Sequence, residues 1–189
     1  MKFTKKHAYI FAALLVVSYF GSTFNSLTVK LNNIDRTLAE IENNMQSRLD
    51  TFSSLVETTK ESVEFESSTL EKITQYRSGI QAATDRNSKI TALNTANAGF
   101  SGIMATFENY PTLQTTQQFA NFRGSIEGME NRLRVARKNF NDATFVYNNI
   151  VEQIPSSIIA SLFNFTTLEY FEAEEAAQSR PNLTELFGE

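Results

Sequence analysis

The chain has 189 residues, enough for one domain plus an anchor and too few for two comfortable domains. Lys2, Lys5 and Lys6 precede the first apolar run, so 14 of the 17 bases face 21 acids in the rest, and a body charge near −7 argues against nucleic acid and against adsorption on anionic lipid. Zero Cys removes disulfides, thiolate catalysis and Cys-type zinc sites, and leaves the redox compartment open.

The first element is an anchor. His7 to Phe24 contains no Asp, Glu, Lys or Arg. As a helix rising about 1.5 Å per residue, this stretch approaches the roughly 30 Å of a bilayer's hydrocarbon layer. Ala8, Ile10, Phe11, Leu14, Leu15, Val16, Val17 and Phe20 are the residues expected to meet lipid. A cleaved signal peptide is the rival reading, since a basic start and an apolar core suit both. Val16-Val17-Ser18-Tyr19-Phe20-Gly21-Ser22 offers no convincing Ala-x-Ala-like site, and the helical pattern continues past Phe24. Both features favour a retained anchor. Basic residues before the span place the N-terminus in the cytoplasm and the body outside it, in the periplasm or its equivalent. The small-residue pairs Ala8/Ala12 and Ser18/Ser22 have a spacing that lets anchor helices approach each other.

The body reads as helix after helix. Leu27, Leu31, Ile34, Leu38, Ile41 and Met45 alternate steps of three and four, which is one face of a helix. The seam then slips to Leu49, Phe52, Val56, Val63, Leu70, Ile73 and Ile80, a stutter that bends or unwinds a supercoil. No Gly or Pro interrupts residues 24 to 78, so the local signal favours a continuous helix. A second helix is expected from about Asn87 to Asn109, with Ile90, Leu93, Phe100, Ile103 or Met104, and Phe107 inward. It ends at Tyr110-Pro111, because proline disfavours a helical predecessor and donates no hydrogen bond. Gly99 and Gly102 in its middle allow a close neighbour.

The third pattern is the most regular. Phe119, Phe122, Ile126, Met129, Leu133, Ala136, Phe140, Ala143, Tyr147, Ile150 and Ile154 keep the alternation until Pro155. Thr115 with Gln118 predicts a capping box at its start. Ser156-Ser157 then cap a short helix through Ile158-Ile159-Ala160-Ser161-Leu162-Phe163, and Asn164 to Phe171 reads as extended. The fold class is therefore all-α: an elongated antiparallel bundle of three to four long helices carrying an N-terminal transmembrane helix. Its parts are the basic start and anchor at 1–24, the bundle at 25–165, and an extended acidic tail at 166–189. Two layouts compete. A break near Asp50 to Ser54 gives four helices of similar length, up-down-up-down; no break gives one long stalk with the other helices along its side.

The chemical inventory is thin. His7 is the single histidine and sits at the membrane edge. No Glu-x-x-His occurs, so a di-iron carboxylate bundle is not encoded, and no catalytic triad can form around one such histidine. Glu127 and Glu130 invite acid–base chemistry, but Arg123 and Arg134 lie four residues away on either side, where intrahelical ion pairs form. Gly99 and Gly102 belong to no phosphate-binding loop. Asn164 and Asn182 open Asn-x-Thr triplets, a pattern common by chance. No catalytic, cofactor-binding or metal residue is expected, and no cofactor.

Four stretches resemble the LemA family: the basic-apolar start with Phe24-Asn25-Ser26-Leu27; Glu108-Asn109-Tyr110-Pro111-x-Leu113; Glu130-Asn131-Arg132-Leu133 through Ala136-Arg137, Phe140-Asn141, Ala143 and Tyr147-Asn148; and Ile154-Pro155 through Phe163-Asn164-Phe165, closing on Tyr170-Phe171-Glu172-Ala173-Glu174. The resemblance implies a membrane-anchored helical bundle, outside the cytoplasm in most members, with no known catalytic site. It also implies kinship with a branch associated with magnetosome membranes and with members found alongside membrane proteases. There are departures. Ser53 stands where the family usually has proline, which weakens the case for a break there, Leu38 replaces a common tryptophan, and Phe140 replaces a tyrosine.

Asn131, Arg137, Asn141 and Asn148 beside the third seam are expected to orient helices or to form a partner-binding ridge. Ile158, Ile159, Leu162 and Phe163 are expected to meet the bilayer surface if the last leg descends towards it. The functional expectation is a non-enzymatic scaffold or organiser at the cell membrane, working by self-association. The alternative is an adaptor or sensor for a membrane partner such as a protease or receptor. Membrane lipid and further copies of the chain are the expected partners.

Overall fold

The computed structural model describes residues 5–59, 67–106 and 110–171. Six helices form there: α1 (Lys5–Thr59), α2 (Ser67–Ala82), α3 (Arg86–Thr106), α4 (Pro111–Gln114), α5 (Gln117–Glu152) and α6 (Ser156–Leu162). Among the described residues there is no strand, and the chain is all-α. It divides into two compact units, Met1–Ile41 with Arg134–Tyr170 and Glu42–Leu133 with Phe171–Glu189.

Neither sequence layout for the first helix is correct in place. α1 runs through Asp50 to Ser54 without a break. Serine keeps the backbone donor that proline lacks, and the Ser53 hydroxyl bonds back to the Leu49 carbonyl at 3.0 Å. Nor does one helix continue to Ile80: Arg77 on α2 pairs with Asp50 on α1, 27 residues earlier, which an unbroken helix would hold far apart. The end of α1 is rich in hydroxyls that compete for helix carbonyls: Thr58 bonds Ser54 O at 2.9 Å and Thr59 bonds Leu55 O at 2.7 Å. Val63 of the expected seam lies outside the described residues.

The second unit is an up-down-up-down assembly. Partners on α1 and α3 advance together, from Glu42–Lys89 to Arg48–Asn97 and Phe52–Phe100, so these helices are parallel. Partners on α1 and α5 run in opposite senses, with Arg48 on Glu130 and Phe52 on Phe122. α2 runs against α1 and α3, fixed to α1 by Arg77–Asp50 at 2.5 Å and with Tyr76 against Gly99 of α3. The core draws Met45, Leu49, Phe52 and Leu55 from α1, Ile73 and Ile80 from α2, Ile90, Leu93, Ala96, Phe100 and Ile103 from α3, and Phe119, Phe122, Ile126 and Leu133 from α5. Phe52 meets Phe100 and Phe122 edge-on, with ring centroids 6.4 and 6.1 Å away, the geometry that ring quadrupoles favour. Leu70, expected on the seam, is 40 % exposed while Thr69 is buried. α2 is a separate helix, so its phase is set afresh.

Helix starts also differ from expectation. α3 begins at Arg86 behind Asp85, whose carboxylate accepts from the Ser88 amide at 3.0 Å, while Ser88 Oγ accepts from the Asp85 amide at 3.3 Å. This is a reciprocal cap with serine in the place of the usual Glu or Gln. The predicted capping box at Thr115 moves one residue on. Thr116 Oγ1 accepts from the Phe119 amide at 3.2 Å, whereas Thr115 closes α4 and bonds Thr112 O. Phe107 of the second seam lies outside the described residues.

The first unit is simpler. Thr23, Leu27, Ile34, Thr37, Leu38 and Ile41 of α1, Ala136, Phe140, Thr144, Tyr147 and Asn148 of α5, and Ile159 and Ala160 of α6 are its buried residues. Ile154, expected at the end of the third seam, is 84 % exposed because α5 stops at Glu152. The Ile154–Pro155 bond is cis. α6 ends in a tight reversal: the Asn164 amide reaches Ser161 O at 3.3 Å and the Phe165 amide reaches Ala160 O at 2.9 Å. Asn164 has φ 57°, the left-handed position that closes such a reversal and that asparagine tolerates better than most residues. Residues 165–171 then have no regular structure, and 172–189 of the expected tail lie outside the described residues.

Candidate functional site

The apolar start of α1 is bare. Ala8, Ile10, Phe11, Leu14, Leu15, Val16 and Val17 are all exposed and Phe20 is half-buried. Packing begins at Thr23 and Leu27, so one helix passes from an unburied apolar stretch into a bundle seam. This stretch is long and apolar enough to cross a membrane.

Where the bare stretch ends, the C-terminal segment returns to it. Phe24 takes Phe163 at 4.8 Å and Phe165 at 5.7 Å, both edge-on. The αL turn at Asn164 is what lets two rings on either side of it reach one partner. Of the four residues expected at a bilayer surface, Ile158, Leu162 and Phe163 are exposed and Ile159 is buried.

Asn148 fastens the segment that follows. Its Nδ2 donates to Leu168 O at 3.0 Å and its Oδ1 accepts from Leu168 N at 3.0 Å, so one side-chain amide satisfies both backbone groups of a residue outside any helix. Nδ2 also lies 3.4 Å from the Tyr170 hydroxyl. A buried amide used in this way fixes a register, because each group left unpaired would cost about 1–3 kcal/mol. Arg137 and Asn141 are half-buried on the same α5 face as Asn148. Asn131 is exposed and stands about 100° around the helix from them at 3.6 residues per turn, so the four do not form one ridge.

The second unit holds a polar site that the sequence reading missed. Arg48 is only 4 % exposed; its Nη1 donates to Asn97 Oδ1 at 3.0 Å and its Nη2 to Glu130 Oε1 at 2.7 Å. The guanidinium lies 3.8 Å over the Phe100 ring. Three helices therefore meet on one planar cation, which bonds in its plane and stacks on its face. Glu130, which spacing alone offers to Arg134 on its own helix, reaches Arg48 on α1 at 2.7 Å. The missed signal was Arg48 beside the slipped seam at Leu49, a charge at an inward position. Lys89 and Glu42 tie α3 to α1 in the same way at 2.8 Å.

Among the described residues no cluster of three or more His, Cys, Asp or Glu is placed to hold a metal ion. A shallow depression along α2 is lined by Leu70, Glu71, Thr74, Gln75 and Ser78, with one carboxylate among them. Arg48, Asn97, Glu130 and Asn148 hold one chain segment to another.

The chain is 30 % identical over 102 residues to the magnetosome protein MamQ 2 of Paramagnetospirillum magneticum, covering 52 % of this chain and 38 % of that one. It is 32 % identical over 97 residues to MamQ of Magnetospirillum gryphiswaldense, covering 49 % and 35 %. It is 24 % identical over 123 residues to the LemA protein of Metamycoplasma hominis, covering 65 % and 56 %. The chain thus spans between about a third and just over half of the length of these relatives. The LemA family profile matches residues 37–184, most of the chain, and the protein belongs to the LemA family.

Proposed function

We propose that this protein is a non-enzymatic, membrane-anchored scaffold that works by self-association. The observation that carries the reading is the continuity of α1, which joins an exposed apolar stretch to a bundle whose Arg48, Asn97, Glu130 and Asn148 are engaged in holding segments together. A cleaved signal peptide fits this continuity poorly, since cleavage would have to cut inside a helix. Lys2, Lys5 and Lys6 orient the span with its start in the cytoplasm and the body outside.

The first unit supplies the self-association surface. Val29 on α1 and Val135, Phe145 and Val146 on α5 are 64, 52, 58 and 41 % exposed. Exposed apolar side chains on a small helical unit favour burial against another protein surface. Similarity to proteins named for the magnetosome supports a place at a membrane.

Light scattering on the full-length protein in mild detergent tests the reading. A multimer that Phe145→Glu with Val146→Glu converts to a monomer is the expected result. A monomer in detergent that also fails to crosslink in native membranes sinks it. If one stoichiometric protein co-purifies with that monomer, the adaptor reading takes its place. Orientation is checked separately, because the cysteine-free chain accepts a single label: Ser47→Cys on exposed α1 should react with an impermeant maleimide from the outer side only.

A further inference from the structure

We infer that α6 and the turn after it form an uncharged foot that lies in the outer lipid interface beside the anchor. The inference rests on the anchoring reading and adds a second membrane contact to it.

Depth is the first argument. Lys6 to Phe24 is eighteen helical steps, a rise of about 27 Å, close to the roughly 30 Å of hydrocarbon in a bilayer. Phe24 therefore falls where the hydrocarbon gives way to headgroups. Phe163 and Phe165 pack on Phe24, which holds the end of α6 at the same level.

Composition is the second. α6 is apolar on both sides: Ile159 and Ala160 are buried against the unit, while Ile158 and Leu162 point outward, 61 and 64 % exposed. Ile154 before the helix and Phe163 after it extend the outward patch, at 84 and 49 % exposed. Residues 153 to 168 contain no Asp, Glu, Lys or Arg in a chain that is 20 % charged as a whole. Such a segment loses nothing by entering headgroups of zwitterionic lipid and gains by covering its apolar side chains, whereas the acidic body gains nothing from anionic lipid. The occupant of the patch is accordingly the bilayer that carries the span, and its attraction is apolar and insensitive to salt.

The protein lacks tryptophan, so single replacements give clean reports. Full-length Leu162→Trp is reconstituted in phosphatidylcholine nanodiscs, with Leu15→Trp in the span and Ser125→Trp on the exposed α5 surface, away from the proposed self-association patch, as references. Ile158→Trp repeats the measurement in case one replacement disturbs the turn. Leu162→Trp is expected to emit to the blue of Ser125→Trp and to lose intensity with brominated acyl chains, at low and high salt alike. Emission equal to that of Ser125→Trp, quenched by aqueous acrylamide, overturns the foot and leaves the anchor standing. A blue shift without quenching by brominated lipid also overturns it, in favour of a protein cover. If Leu15→Trp itself escapes brominated lipid, the anchor reading falls and takes the foot with it.

Discussion

The guanidinium of Arg48 lies 3.8 Å above the ring of Phe100, so α1 and α3 meet through a buried cation seated on an aromatic face. Asn97 and Glu130 take two of its donors; Arg48 and Asn97 are buried, whereas Glu130 is 53 % exposed. Removing the carboxylate therefore costs little, since water already screens much of the pair. Removing the cation costs more. Arg48→Met keeps the contact with Phe100 and loses both hydrogen bonds, and should destabilise by about 1–3 kcal/mol. Glu130→Gln should cost under about 1 kcal/mol. Thermal melts in detergent followed by helical circular dichroism rank the two, and the reverse order would contradict the assignment.

Asn148 ties α5 to Leu168 through two 3.0 Å bonds. Asn148→Asp retains the acceptor for the Leu168 amide but turns an oxygen toward the Leu168 carbonyl. A loss of about 1–3 kcal/mol is expected, together with faster hydrogen exchange at residues 165 to 171. Unchanged exchange in that segment would show that packing alone holds it.

Gly99 and Gly102 sit three residues apart on α3 with opposite surroundings. A Cβ on Gly99 would overlap the Tyr76 hydroxyl and ring, whereas one on Gly102 meets nothing within 4 Å. Gly102→Ala should stabilise by about 0.5–1 kcal/mol through helix propensity. Gly99→Ala should fail to show that gain because it displaces Tyr76, and should recover it in a Tyr76→Ala background. Urea melts of the four variants check the reversal.

Asp85 titrates below its ordinary carboxylate range, chiefly because the Ser88 hydroxyl donates to it and then because the Ser88 amide does. A depressed folded-state pKa contributes stability above the unfolded value, and this is lost as pH falls through the lower folded value. The start of α3 should therefore loosen in acid, below the usual carboxylate range. Amide exchange at Ser88 followed against pH reads this directly. Asp85→Asn, which caps without titrating, should abolish the dependence.

Much of this architecture is written in local patterns. The charge-free run from His7 to Phe24, the three-four seams and the proline stops at Pro111 and Pro155 each act on neighbouring residues, so helix content and a membrane-span candidate follow from sequence alone. Leu93, Phe100, Phe122, Ile126 and Phe140 are buried as their spacing requires. Register across helices is a different kind of information. Glu130 has a suitable base four residues away on its own helix and another on α1, and spacing cannot choose between them; only the approach of α1 brings Arg48 to 2.7 Å. The exposure of Leu70 and the return of Phe163 and Phe165 to Phe24 have the same origin. Each depends on which surfaces meet after the chain reverses, and contacts between residues far apart in sequence leave no periodic trace in it.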